Sequence, residues 1–385
     1  MKKINVAVIG IGRMGSVHAR NLKKGKVRGA KLQAICDIKS EALTEFTKKY
    51  GQTATYLDYK AMLKAENIDA VIIATEHYFH ADIAIYCMEQ GLNVLVEKPL
   101  SVTTLEAKRV IERAKEHSKQ VTAVMFNQRT NPLYARAKRL VEEGKIGEIQ
   151  RVNFIVTDWY RSQAYYNQGG WRASLWGEGG GTLINQCIHQ LDLIQWIIGL
   201  PKTVYVKMAT KNRQITTEND VVALFKYDND VYCSFTASTH ELRGANRLEI
   251  AGTNGRIVID SNKMKVYTFA KDEKQINNET KSGYGFVLKK TARYNHRFGF
   301  AVGFIKGGQQ LNIVRNFLNG VMRNEKLISP IADGLNAVMM INAMYLSAWE
   351  NKEISLPIDD VEYTKILNDK IKEEKIILGE NNDKN

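Results

Sequence analysis

Residues 4–9, Ile4-Asn5-Val6-Ala7-Val8-Ile9, run without a break into Gly10-Ile11-Gly12-Arg13-Met14-Gly15, and a helical pattern over 14–24 follows at once. In such a strand-turn-helix the first glycine permits the tight turn and the second lets the backbone approach a pyrophosphate. The third lets helix and strand pack closely, and the helix N-terminus faces the anion. Alone the motif is generic. Its context is not, because a second apolar run, Leu32-Gln33-Ala34-Ile35-Cys36, ends in Asp37. A carboxylate there accepts both ribose hydroxyls of NAD and repels the 2′-phosphate of NADP. Lys39 and Ser40 would tolerate a phosphate, so NADP stands second to NAD. The cofactor contacts expected here are Gly10, Ile11, Gly12, Arg13, Met14, Gly15, Asp37 and Ile38.

Working outward, apolar runs at 4–9, 32–36, 70–74, 94–96 and 121–126, with a weaker one at 53–56, alternate with helical patterns at 14–24, 40–50, 58–65, 78–90 and 103–117. Strict alternation of this kind predicts an α/β domain, an N-terminal Rossmann doubly wound parallel sheet covered on both faces. After Asn127 the rhythm changes. A helix at 133–143, a strand at 149–158, a loop rich in glycine and aromatics at 160–178 and a helix at 182–197 come first. Six alternating segments follow between 203 and 269, joined by turns such as Thr253-Asn254-Gly255. They predict a C-terminal α/β domain with a large, mostly antiparallel open sheet, one face wet or available to a partner. The stretch 271–297 reads as polar, irregular and mobile, helices are expected at 311–323, 333–349 and 363–374, and the tail 380–385 as disordered. The expected domains are 1–126 and 127–379.

Composition narrows the class. A chain of 385 residues with 44% hydrophobic and 25% charged residues has ordinary globular values. The four cysteines, Cys36, Cys87, Cys187 and Cys233, are scattered without a C-x-x-C, so neither a disulfide framework nor a metal site is expected, and a reducing cytoplasm fits. No apolar stretch is long enough for a membrane span. The net charge of +14 raises nucleic acid as a partner. The basic residues are mixed with glutamates along helical segments, however, which reads as a solvated surface with no nucleic-acid or membrane partner.

Two stretches carry chemistry. In Asn93-Val94-Leu95-Val96-Glu97-Lys98-Pro99 an apolar run ends in Glu-Lys, and a proline stops it. Lys98 therefore falls at the carboxyl end of a parallel strand, where such sheets bind ligands, and the Lys98-Pro99 bond is a candidate for cis geometry. A solvated lysine is the plainer alternative. In Gly179-Gly180-Gly181-Thr182-Leu183-Ile184-Asn185-Gln186-Cys187-Ile188-His189-Gln190-Leu191-Asp192, the residues Asn185, His189 and Asp192 are spaced to share one helix face. The glycines let a backbone or a ligand come close to the helix start. Histidine suits proton transfer near neutral pH, with Asn185 orienting substrate or imidazole; a satisfied core histidine is the alternative. The loop Asp158-Trp159-Tyr160-Arg161 through Gly170-Trp171-Arg172 offers aromatic faces for sugar rings and arginines for hydroxyls or phosphates. Asn127 and Arg129 leave the last strand of the first sheet at the crevice.

Taken together, these motifs resemble the glucose–fructose oxidoreductase, inositol dehydrogenase and rhizopine-catabolism (Gfo/Idh/MocA) family over nearly the whole chain. The resemblance implies an oxidoreductase, an NAD-dependent dehydrogenase or reductase acting on a ring secondary alcohol of a sugar, glycoside or cyclitol. It also implies a homodimer or homotetramer formed through the C-terminal sheet. It gives Lys98 and His189 the catalytic positions and puts Asn185 beside them, with Lys98, Asn127, Arg129, Tyr160, Asn185 and His189 toward the substrate. Thr75, His80, Glu97, Lys98, Trp171 and Arg172 fall toward the cofactor; His80 would equally cap its helix. The residue at 185 is often aspartate in inositol dehydrogenases, and Glu76 stands where proline is common. Two alternatives share the domain: a glycosidase that oxidises its sugar transiently on retained NAD, and a non-catalytic sensing regulator.

Overall fold

The structure, a computed structural model, describes residues 3–281, 283–284, 289–295 and 308–379. The chain forms two compact units, Met1–Thr130 with Val302–Val338, and Asn131–Ala301 with Met339–Asn385.

The first unit carries six strands, β1 (Ile4–Ile9), β2 (Ala30–Cys36), β3 (Ala54–Tyr56), β4 (Ala70–Ile73), β5 (Asn93–Val96) and β6 (Thr122–Val124). The helices α1 (Arg13–Lys23), α2 (Ser40–Tyr50), α3 (Tyr59–Ala65), α4 (His80–Glu89) and α5 (Thr104–Glu116) connect them. All pairings are parallel in the order β3-β2-β1-β4-β5-β6. Val6, Ala7, Val8, Val71, Ile72, Val94 and Leu95 are fully buried, so the central strands are apolar on both faces and do not alternate. The order reverses at β1, which lies between β2 and β4 and sets the switch point at which such sheets bind ligands.

A helix from the far end of the sequence completes this unit. Gly308–Arg323 sends Leu311, Ile313, Val314, Phe317 and Leu318 into the same core as Val6, Val8, Leu22 and Phe46. Beyond it, Val124 N–H donates to the Ser329 carbonyl at 3.1 Å, continuing the edge strand. Sequence reading cut the chain once, at 126. The structure returns 302–338 to the first unit, because an amphipathic stripe announces a core without saying which one.

The second unit begins with α6 (Pro132–Glu142), β7 (Ile149–Val156) and a short α7 (Gln163–Tyr166). The strands β8 (Thr203–Ala209), β9 (Asp220–Lys226), β10 (Tyr232–Ser238), β11 (Asn246–Gly252), β12 (Gly255–Asp260), β13 (Lys263–Phe269), β14 (Lys289–Asn295) and β15 (Ile354–Ser355) join β7 in one sheet. Its order is β14-β13-β12-β11-β7-β10-β9-β8-β15, antiparallel except for the pairing of β7 with β10. Val152, Phe154, Val206, Ala223, Phe225, Cys233 and Phe235 are buried, whereas Ile155, Tyr205, Val222, Leu224 and Tyr232 on the other face are exposed. The period of two fixes the register. The stretch 271–297, expected to be irregular, contains a helix at Glu273–Glu279 capped by Asp272 and the edge strand β14. Lys289-Lys290-Thr291-Ala292-Arg293 has no apolar alternation, so nothing in its pattern announces a strand that pairs on one side only. The tail 380–385 lies outside the described residues. Among the described residues, no helix is long and apolar enough to cross a membrane.

Candidate active site

In the first unit, Gly10, Ile11, Gly12, Asp37, Ile38, Thr75, Glu97, Lys98 and Asn127 sit one to three positions beyond strand ends, along the carboxyl edge of the parallel sheet, with Arg13, Met14, Gly15, His80 and Arg129 a few residues further on. The three motif glycines separate by cause. Gly10 has φ +87°, and a Cβ on it would lie 2.6 Å from the Ala74 carbonyl carbon. A Cβ on Gly15 would fall 1.7 Å from the Gly10 carbonyl oxygen, so close packing demands glycine there too. On Gly12 it would meet nothing within 4 Å. The fold does not need a bare backbone at Gly12; a group approaching from outside does. Gly12 is also the N-cap of α1, which has no side-chain cap and no acid in its first turn, so its terminal N–H groups face outward as an anion site. Arg13 and Gly12 are both exposed, and Met14 is half-buried. Asp37 Oδ2 accepts from Ile11 N–H at 2.6 Å and Oδ1 from Lys39 N–H at 2.9 Å. This aims a carboxylate, with acceptor capacity left over, at the rim of the glycine turn. Ile38 is exposed beside it. These residues fit a dinucleotide.

Lys98 follows β5, half-buried, and its bond to Pro99 is cis. Glu97 is buried. Its Oε1 lies 2.7 Å from His18 Nε2 on α1, and its Oε2 accepts from Lys98 N–H at 3.2 Å. It thus braces the lysine turn against the helix of the glycine motif, a role with no signal in the sequence at His18. His80 is also buried, with Nδ1 2.7 Å from the Pro99 carbonyl and Nε2 3.0 Å from the Thr75 carbonyl. Both partners are acceptors, and burial pushes the ring's pKa down. His80 therefore ties two strand ends together, and neither caps α4 through its side chain nor presents a ring nitrogen to a cofactor. Thr75 Oγ1 and Asn127 Oδ1, at the ends of β4 and β6, are buried polar atoms without a hydrogen-bond partner among the described residues. Arg129 has partners within its own unit. It is buried, and its Nη1 is ion-paired with Asp333 and donates to the Ile328 carbonyl at 3.2 Å, which helps hold 328–333 in place.

In the second unit, the glycine-rich stretch answers to the protein's own groups. A Cβ on Gly180 would lie 1.9 Å from Tyr345 Oη, and one on Gly181 would lie 2.2 Å from the Glu218 carbonyl oxygen. Gly181 N–H donates to Tyr345 Oη at 3.0 Å, Leu183 N–H donates to Glu218 Oε1 at 2.8 Å, and Tyr345 Oη is 3.0 Å from both Glu218 oxygens. Burial raises the Glu218 carboxyl to about 7. The single helix expected at 182–197 is two, α8 (Thr182–Asn185) and α9 (Ile188–Ile198). The Thr182 carbonyl accepts from both Gln186 N–H at 3.0 Å and Cys187 N–H at 2.8 Å, a wide turn that admits one extra residue. Asn185 and His189 are thus not on one regular helix face. Asp192, fully buried, accepts from Gln195 Nε2 at 2.8 Å inside α9.

Around α8, the aromatic loop is tightly braced. Arg172 stacks on Trp171 at 4.7 Å and Tyr165 at 4.9 Å and donates to Tyr165 Oη at 3.2 Å. Tyr160 is exposed, with the Arg213 guanidinium 5.1 Å from its ring. Glu178, buried, accepts from Ala173 N–H at 2.8 Å and from Asn185 Nδ2. Glu374 reaches the loop from the helix Asp360–Ile377, accepting from Leu175 N–H at 2.9 Å, Trp176 N–H at 3.0 Å and the Thr216 hydroxyl. Sequence reasoning missed Glu178, Glu218 and Glu374. Only Glu374 left a trace: with Tyr363 and Leu367 it falls on the buried stripe of its helix, where a glutamate needs partners.

A Rossmann unit with an open anion site, followed by a mixed sheet with a histidine-bearing broken helix, defines a dinucleotide-dependent oxidoreductase. The chain matches the family described as "Oxidoreductase family, NAD-binding Rossmann fold" over residues 4–125 and the "GFO/IDH/MocA C-terminal domain" over residues 134–258. It belongs to the Gfo/Idh/MocA family. It is 29% identical over 263 residues to the scyllo-inositol 2-dehydrogenase (NAD(+)) of Bacillus subtilis, covering 67% of this chain and 74% of that one. To the levoglucosan dehydrogenase of Pseudarthrobacter phenanthrenivorans it is 25% identical over 406 residues, covering 93% and 99%. Among solved structures it resembles the myo-inositol 2-dehydrogenase of Lactobacillus plantarum with a TM-score of 0.71 and 26% identity, over 92% of this chain and 99% of that one.

Proposed function

We propose that this protein is an NAD-dependent dehydrogenase that oxidises a ring secondary alcohol of a sugar, glycoside or cyclitol, or reduces the corresponding ketone. The observation that carries it is the empty space over Gly12 at an uncapped helix N-terminus, with Asp37 beside it and Lys98 on the same sheet edge. The ring alcohol is suggested by the relatives, which are named for inositols and levoglucosan. Bound NAD supplies the hydride acceptor. Gly10 to Gly15 and Asp37 hold its pyrophosphate and ribose, and Asp37 disfavours a 2′-phosphate. Lys98 and His189 take or relay the hydroxyl proton, and Asn185 holds a neighbouring hydroxyl. The first unit thus serves the cofactor and supplies Lys98, and the second serves the substrate.

Second copies of the chain dock on the open face of the large sheet. Ile155, Val222, Leu224, Tyr205 and Tyr232 form its exposed apolar rows, larger than isolated surface residues require. The four buried free cysteines fit a reducing cytoplasm. The mechanism is tested by Lys98→Met. NAD should bind unchanged while kcat falls roughly 10²–10⁴-fold, the range of a lost proton-transfer group. Near-normal turnover in that variant would remove Lys98 from the mechanism.

A further inference from the structure

We infer that Glu178 is a positioning residue that requires an amide at 185 and fixes which end of that amide meets the substrate. Glu178 is buried, and each of its oxygens has a partner: Oε2 accepts from Ala173 N–H at 2.8 Å, and Oε1 accepts from Asn185 Nδ2. The Arg172 guanidinium lies 3.8 Å from Oε1 and balances its charge. The Nδ2 of Asn185 has only two hydrogens. One goes to Glu178 and the other points to Tyr165 Oη at 3.4 Å. That oxygen is also reached by Arg172 Nη1 and Gln186 Nε2, each at 3.2 Å, so the bond to Glu178 is what turns the donor end of the amide into the protein. Whatever else Asn185 meets, it meets through Oδ1, as an acceptor, which suits the O–H of a polyol or the N–H of an imidazole.

The same geometry explains why residue 185 is not an acid. An aspartate there would set a second carboxylate at hydrogen-bond distance from Glu178 in a buried site, where two like charges cannot both stay ionised cheaply. The Arg172 guanidinium already balances the first of them. The acid function has moved one residue outward: the carboxylate stands at 178 and acts on the substrate side through a neutral amide. Placing Asn185 at the substrate rests on the function proposed above; the coupling of 178 to 185 does not.

Exchanging donor and acceptor tests the coupling. In Glu178→Gln two amide nitrogens face each other, and Asn185 must turn over, presenting Nδ2 where Oδ1 stood. In Asn185→Asp two carboxylates collide. In the double variant the glutamine introduced at 178 keeps its side-chain oxygen on the Ala173 N–H. Its amide nitrogen donates to the aspartate introduced at 185, so the hydrogen bond is restored with its ends exchanged. With NAD bound to the full chain, each single change should lower Tm by about 5 °C, and the double change should lower it less than either. Losses that simply add would overturn the coupling. Turnover of myo-inositol, scyllo-inositol or levoglucosan separates positioning from stability. Both single variants should lose roughly tenfold or more in kcat, and the double should recover part of it. Wild-type kcat in both singles would overturn the positioning role. If the wild type oxidises no inositol, aldose, aldonate or glycoside, the proposed function fails while the Tm cycle still decides the coupling.

Discussion

The two units hold their candidate residues by different means. In the first unit most candidates sit just past the end of a parallel strand, and backbone topology alone delivers Gly10, Asp37, Thr75, Lys98 and Asn127 to one edge. In the second the candidates lie on a broken helix and an aromatic loop held by three buried glutamates, Glu178, Glu218 and Glu374. The candidates of the first unit are placed by the ladder, those of the second by individual hydrogen bonds to buried carboxyl groups. Damage to the first should come from backbone clashes, and damage to the second from the loss of single side chains.

The glycines give the largest contrast. Gly15→Ala places a Cβ against the Gly10 carbonyl with no side chain free to yield, so Tm should fall by about 10 °C or more, or the chain should fail to fold. Gly12→Ala meets nothing and has an ordinary φ of −67°, so Tm should hold while the Kd for NAD rises roughly tenfold or more. Thermal unfolding and NAD titration of the pair separate packing from ligand space. If Gly12→Ala binds NAD normally, the open space is not the cofactor's.

Glu374→Ala should come next. It removes the acceptor of two consecutive backbone N–H groups and leaves them buried, at about 1–3 kcal/mol each before relaxation. A fall in Tm of roughly 5–10 °C is expected, with faster amide hydrogen exchange at Leu175 and Trp176. Glu374→Gln, which keeps one acceptor, should lie between the two. Unchanged exchange at those amides would show that the loop holds itself.

The smallest effect is a pH dependence. The Glu218 carboxyl is raised from its ordinary 4.5 to about 7 by burial, so the folded state holds a proton that the unfolded chain releases. Its contribution is fully present below about pH 4.5 and is lost as pH rises through 7. Tm should drift down by a few degrees between about pH 5 and pH 8, and Glu218→Gln should flatten that drift. An identical slope in the variant would assign the drift to other groups.

The same contrast governs what the sequence revealed. Strand and helix periods, the glycine turn, Asp37 at a strand end and the breaker at Pro99 are local patterns, and each points to the carboxyl edge of a parallel sheet. His80 was legible as a position but not as a role, because the two carbonyls it bridges come from residues 75 and 99. Arg129 likewise looked outward until Asp333 arrived from far along the chain. The broken helix escaped because an extra residue in one turn leaves composition untouched. Glu178 and Glu218 gave no signal, since nothing near them in sequence is the partner that permits their burial.

The most direct test is NADH absorbance while inositols, aldoses, aldonates and glycosides, levoglucosan included, are offered in turn with NAD or NADP. Reduction of NAD in preference to NADP by one class of cyclic polyol is the result predicted here. Tight NAD binding without NADH from any of them would contradict it and turn attention to a glycosidase that retains its cofactor or to a sensing protein.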